Sequence, residues 1–183
     1  GVDVTAQWIG KIQTTGDNDL GLAGDFVADL WLPGTGDPSE EALGGVKIAG
    51  DLGTVFGGCD WVLGSSAGRI KVDGMVRWSR IQSTGDIAGL KLGGVADSDF
   101  LAGVPTGFAD ARVDAAADFS RYRAATASIG SITITGVDGA AVYVTRSNFS
   151  AAMMGKVKLV NYLSPDTYTL TVVNVEENLA GVK

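Results

Sequence analysis

The sequence predicts an all-β fold, a parallel β-helix (β-solenoid) of about six to seven coils, and three observations carry that expectation. A short cassette recurs in which a Gly and a variable residue precede an alternation of apolar and polar residues, as in Gly68-Arg69-Ile70-Lys71-Val72 and Gly89-Leu90-Lys91-Leu92. The anchor glycines Gly10, Gly45, Gly68, Gly89, Gly130 and Gly155 are 35, 23, 21, 41 and 25 residues apart. Two steps lie near one unit, the 41 near two, and the 35 is one unit plus a loop. Inside the period only strand-like alternation appears, with neither a 3.6-residue stripe nor an L-x-x-L-x-L frame. One unit then makes one coil, with Gly and Asp at corners, alternate apolar residues inward, and Lys, Arg, Ser or Thr outward. Coils stacked about 4.8 Å apart give a column on the order of 30 Å tall.

Taken in order, Val2 to Leu32 contains Ile12-Gln13-Thr14-Thr15-Gly16-Asp17, repeated as Ile81-Gln82-Ser83-Thr84-Gly85-Asp86, and a dense apolar strand from Asp25 to Leu32. Pro33 to Glu41 is rich in Gly, Pro and Asp and reads as a loop excursion. Strand patterns resume at Gly45-Val46-Lys47-Ile48, Asp60-Trp61-Val62-Leu63 and the two cassettes. Pro105 to Ser128 interrupts them; its alanines favour helix but form no strong apolar stripe, so a loop with one or two helical turns is expected. The pattern returns at Ser128 to Gly136, Ala141 to Val144 and Met154 to Leu159. Ser147-Asn148-Phe149-Ser150-Ala151-Ala152 echoes Ser98-Asp99-Phe100-Leu101-Ala102. Residues 164–183 form a final strand and tail, whose alternating stretch Asp166 to Val175 is expected to cap the column or pair with an edge. All of 1–183 reads as one domain.

With 183 residues, 45% of them hydrophobic, and a mean hydropathy of +0.20, the chain can bury a core. Gly occurs 27 times and Pro four times, which fits tight turns between short strands. The net charge of −7 argues against nucleic acid and against an anionic membrane surface. No stretch is long and apolar enough for membrane insertion. The single Cys59 forms no intrachain disulfide and is expected to pack as a small hydrophobe. Histidine is absent, which removes Ser-His-Asp and Cys-His catalysis and His-containing zinc sites. The start at Gly1, without Met or signal peptide, is expected of a processed product or a piece of something longer.

No catalytic residues are assigned and no cofactor is expected, a structural calcium ion being the one candidate weighed. Candidate ligands for that ion are Asp17, Asp19 and Asp25, because hard cations take clustered carboxylates; a solvated Asp-Gly turn accounts for the same residues. Asp60, Asp73, Arg69, Arg77 and Arg80 contain the residue types a β-helix lyase or a carboxylate-pair glycosidase uses, but outward charges on a solenoid produce such clusters by default. Trp8, Trp31, Trp61 and Trp78 supply rings that stack on sugars or pack in a core, and core or loop packing is expected. Thr133, Thr135, Thr167, Thr169 and Thr171 read as ordinary outward strand residues rather than a flat binding array, and the sequon Asn148-Phe149-Ser150 carries little weight.

The phrases Ser83-Thr84-Gly85-Asp86-Ile87-Ala88-Gly89-Leu90, Asp97-Ser98-Asp99-Phe100-Leu101-Ala102-Gly103 and Ile129-Gly130-Ser131-Ile132-Thr133-Ile134 resemble repeats of large bacterial surface proteins, relatives of filamentous haemagglutinin and autotransporter passengers. The resemblance covers roughly Ile9 to Leu163 and implies a right-handed parallel β-helix, extracellular or at the cell surface. It also implies a non-enzymatic role in adhesion or as a stalk, and brings no catalytic motif. The expected partners are further coils, end to end, from a second copy or a longer chain, since open solenoid ends expose unpaired backbone groups. A carbohydrate-binding or carbohydrate-active β-helix module is the alternative.

Overall fold

A computed structural model describes residues 2–108, 126–137 and 143–160, and the backbone of 169–172. The described chain is all-β and parallel, with one turn of 3-10 helix at Thr106–Phe108. Seven strands form sheet A: β1 (Asp3–Thr5), β3 (Asp29–Leu32), β5 (Asp60–Leu63), β7 (Arg80–Ser83), β9 (Asp99–Ala102), β12 (Asn148–Ala151) and β14 (Thr169–Val172), in that spatial order. Sheet B holds β2 (Ile9–Gln13), β4 (Glu41–Ile48), β6 (Ser66–Arg77), β8 (Ile87–Ala96), β10 (Ser128–Ile134) and β13 (Met153–Leu159), with β11 (Val144–Thr145) paired to the end of β8. The chain visits the two sheets alternately, so each strand pairs with strands one visit earlier and later.

Sheet A strands are short, and in the strands from β1 to β12 the second residue points inward. One inward position stacks Val4, Leu30, Trp61, Ile81, Phe100 and Phe149. The Phe100 and Phe149 rings lie 4.9 Å apart at 5°, so the echo between their segments is a true register match. Trp61 meets the edge of Phe26 at 5.8 Å and donates from Nε1 to the Ala28 carbonyl at 3.0 Å, which satisfies its one polar atom in a buried site.

Sheet B strands bend, and the bend explains the glycine cassette. Their inward residues step by three, from Ile9 to Ile12, Leu43 to Val46, Ala67 to Ile70, Ile87 to Leu90, Ile129 to Ile132 and Met154 to Val157. After that they step by two, as strands do. At the bend neighbouring backbones come close: a Cβ on Gly44 would lie 2.1 Å from the Gly10 carbonyl oxygen, and one on Gly155 only 1.8 Å from that of Gly130. The crowded position is therefore that of Gly44, Gly68, Gly130 and Gly155, with Gly10 in uncrowded space at its end and Ala88 in the remaining place. This corrects the cassette frame, since Gly45 and Gly89 sit one residue further on, beside Arg69.

A third, short ladder runs through Phe26, Leu52, Val76, Val95 and Val144. Its last four members are buried and belong to the same hydrophobic core. The two I-Q-[ST]-T-G-D copies are not equivalent: Ile12 and Gln13 belong to sheet B, Ile81 and Gln82 to sheet A. The final alternating segment adds to an edge, β14 pairing with β12. Of the expected excursion at 105–128, residues 109–125 lie outside the described residues, as does most of 164–183.

Candidate functional site

The corner leading into sheet A is the most regular polar feature. Trp78, Asp97 and Arg146 occupy it in successive layers, all with positive φ (51°, 51° and 40°). That conformation is unusual for residues with side chains, and the following serines hold it. The hydroxyls of Ser79, Ser98 and Ser147 each donate back to the carbonyl two residues earlier, at 2.7–2.8 Å. Each also accepts the N–H of the corresponding residue one layer below, namely Cys59, Ser79 and Ser98 (3.0, 3.1 and 3.2 Å). Cys59 thus begins a polar ladder. Burial pushes its thiol above the ordinary cysteine range, so it stays protonated and unreactive at neutral pH.

One residue on, an outward column runs Asp3, Asp29, Asp60, Arg80, Asp99 and Asn148. Asp29 accepts the Asp60 N–H at 2.6 Å, and Arg80 grips both Asp60 oxygens from Nε and Nη2 at 3.0 and 2.8 Å. Asp3, Asp29 and Asp60 form one wall of a shallow groove of about 370 Å³, whose other wall includes Thr5, Trp31 and Val62. Trp31 is 44% exposed there. A ring beside carboxylates suits a sugar, with stacking on its C–H face and acceptors for its hydroxyls. A second depression of about 220 Å³ lies where the two excursions approach each other; Pro38, Ser39, Thr84, Asp86 and Thr126 line it.

The remaining candidates are dispersed. Asp17 caps its own turn, its Oδ1 accepting the N–H groups of Asp19 and Leu20 at 3.0 and 3.2 Å. Asp25 serves another corner and accepts the Asp51 N–H at 2.7 Å. Among the described residues no three carboxylate or thiol groups converge as metal ligands. Of the charged cluster, Asp60 and Arg80 meet on sheet A, Arg77 pairs with Asp51 at 3.3 Å, and Asp73 pairs with Lys71 at 2.7 Å on sheet B. Arg69 stands apart from all of these, beside Gly89. Trp61 is core, but Trp8, Trp31 and Trp78 are 64%, 44% and 54% exposed, in different places, which corrects the expectation that all four pack. Thr133 stands on sheet B while Thr169 and Thr171 belong to sheet A, and Thr167 lies outside the described residues, so no flat threonine array exists among them.

The serine ladder went unnoticed in the sequence, although its signal is visible: Ser79, Ser98 and Ser147 each follow a corner residue and precede Arg80, Asp99 and Asn148. Against known proteins, the chain matches no family model, no curated protein and no solved structure.

Proposed function

We infer that the chain is a right-handed parallel β-helix serving as a non-enzymatic structural module, extracellular or on a bacterial surface, where it acts as a stalk, adhesion or self-assembling element. The observation that carries this reading is the continuity of three ladders along the described chain, ending in open edges at β1 and β2. Beside those edges Val2 and Trp8 are each 64% exposed. An unpaired parallel edge with apolar neighbours is a template for another strand. Further coils, whether from a second copy or from the same longer chain, are the natural occupant.

Sedimentation velocity over a wide concentration range tests the reading. Since the Ala6 N–H bonds the Trp31 carbonyl, alternation points the Thr5 N–H away from β3. Thr5→Pro, combined with Trp8→Ser, should therefore abolish association without unfolding the column. A wild-type chain that stays monomeric at every concentration overturns the self-assembling element and leaves further coils of the same chain as the occupant of the edges. The groove holding Trp31, Asp3, Asp29 and Asp60 favours a second reading, a carbohydrate-binding module. A glycan array with and without calcium tests it, with Trp31→Ala expected to abolish any signal.

A further inference from the structure

The outer face of sheet B carries a charge pattern that the rod reading does not require. Two outward positions repeat through its six strands. One runs Lys11, Gly45, Arg69, Gly89, Ser131 and Lys156, and the other Gln13, Lys47, Lys71, Lys91, Thr133 and Lys158. These twelve positions hold seven of the chain's 14 Lys and Arg and none of its 21 Asp and Glu. These twelve positions thus carry +7, with Glu41 of β4 and Asp73 of β6 beside them, and the rest of the chain, with seven cations against 21 carboxylates, carries −14. An acidic protein has gathered half its positive charge onto one sheet face.

That arrangement works against the fold. Lys47, Lys71 and Lys91 stand directly opposite one another on adjacent strands, about 4.8 Å apart, where like charges repel. Among the described residues Lys71 is the one cation of the seven with a carboxylate within 4 Å, namely Asp73. Packing does not explain Gly45 either: a Cβ there would meet nothing within 4 Å, and its φ is not in the left-handed region. Gly45 leaves a notch between Lys11 and Arg69, beside Lys47.

We propose that this face binds a linear polycarboxylate polysaccharide lying across the strands, one charged ring to each layer. Such a chain carries one carboxylate per sugar at a repeat close to one strand separation, and because it turns about its axis the carboxylates on its sheet-facing side meet lysines of the Lys47, Lys71 and Lys91 column while the others stay in solvent. Ring hydroxyls meet Gln13, Ser131 and Thr133, and the notch at Gly45 admits a ring. Nucleic acid fits less well, because none of the twelve positions is aromatic and no base can stack there, while flanking carboxylates repel a wide polyanion. A second copy fits less well too, since in the regular acidic column Asp29 is bonded to the Asp60 N–H and Asp60 to Arg80. The proposal stands whether or not the chain stacks end to end.

Calorimetric titration of the Thr5→Pro, Trp8→Ser background with polygalacturonate at low salt, at concentrations that sedimentation shows to be monomeric, tests it. Binding should appear, weaken linearly in log-log plots against salt, and be absent for neutral dextran. The Lys47→Gln, Lys71→Gln, Lys91→Gln triple variant should bind at least roughly tenfold more weakly, with a salt slope reduced by about 2, if each lysine releases counterions as on a single strand. It should also melt at a higher temperature, since repulsion is relieved, which separates lost binding from lost folding. Gly45→Gln should weaken binding with the charge intact, and Arg146→Gln, at an exposed corner, should change nothing. Absent binding, unchanged affinity in the triple variant, equal or tighter binding of duplex DNA, or a low-salt dimer abolished by the triple variant would each overturn the proposal.

Discussion

Two copies of one hexapeptide pattern lead opposite lives in this molecule. In Ile12 to Asp17 the glutamine stands exposed on sheet B, in line with Lys47 and Lys71. In Ile81 to Asp86 the glutamine is fully buried on the outer side of sheet A, where Nε2 donates to the Val104 and Pro105 carbonyls at 3.3 and 2.7 Å. Both copies end alike, with an Asp that accepts backbone N–H groups: Asp17 those of Asp19 and Leu20, and Asp86 that of Ser128 at 2.6 Å. The hexapeptide therefore encodes a strand running into a corner. It does not encode which sheet the strand joins or what lies over it.

The same contrast separates the two outer faces. On sheet B the outward columns stay exposed or half-buried through six strands, except at Gly89, beside which the Arg69 and Ser131 side chains lie. On sheet A one outward column passes from exposed Trp31 to buried Val62, Gln82, Leu101 and Ser150. Regular repetition marks a surface facing solvent or ligand, whereas loss of exposure along a column of mixed residues marks a surface the protein covers itself.

The sharpest way to break this comparison is to make the same change in both copies. Gln82→Lys buries an unpaired ammonium and removes two hydrogen bonds, and should cost about 3–5 kcal/mol in denaturant unfolding. Gln13→Lys adds a charge to an exposed column and should stay within about 0.5 kcal/mol. Equal effects would show that the two faces are not different environments. Next in size is Ser98→Ala, which strands the buried Ser79 N–H and leaves the Asp97 corner without its brace, at about 1–3 kcal/mol. A loss below 0.3 kcal/mol would mean the serine ladder follows the corner rather than holds it.

A smaller effect concerns pH at Cys59. Its folded-state pKa is raised, chiefly by burial, so its contribution is fully present below the unfolded thiol value of about 8.5 and declines as pH rises through the folded value. Wild-type stability should fall across alkaline pH more steeply than that of Cys59→Ala, and a thiol reagent at pH 8 should label the native chain far more slowly than the unfolded one. Parallel pH curves for the two proteins would contradict this.

Much of the fold could be read from sequence because the ladders stack like on like. Gly68 to Val72 and Gly89 to Leu92 sit in adjacent strands, and the Phe100 and Phe149 segments stack ring on ring. The cassette frame differs from the register at Gly45, which stands in open space next to the carbonyl-crowded Gly44, and at Gly89, where Ala88 fills the crowded position, and sequence alone does not separate such neighbours. The lysine columns escaped notice because net charge averages over faces. Lys47, Lys71 and Lys91 lie 24 and 20 residues apart, and only the register makes them neighbours.

That register is the central claim, and cross-linking tests it directly. In a Cys59→Ser background, the pair Lys71→Cys and Lys91→Cys should oxidise rapidly to an intrachain disulfide, since adjacent strands place the Cα atoms about 5 Å apart with both side chains outward. The pair Lys71→Cys and Gly89→Cys, two residues out of register, should oxidise only after denaturation. Equal rates for the two pairs in the native chain, or faster closure of the second, would contradict the stacked parallel register and the cationic face built on it.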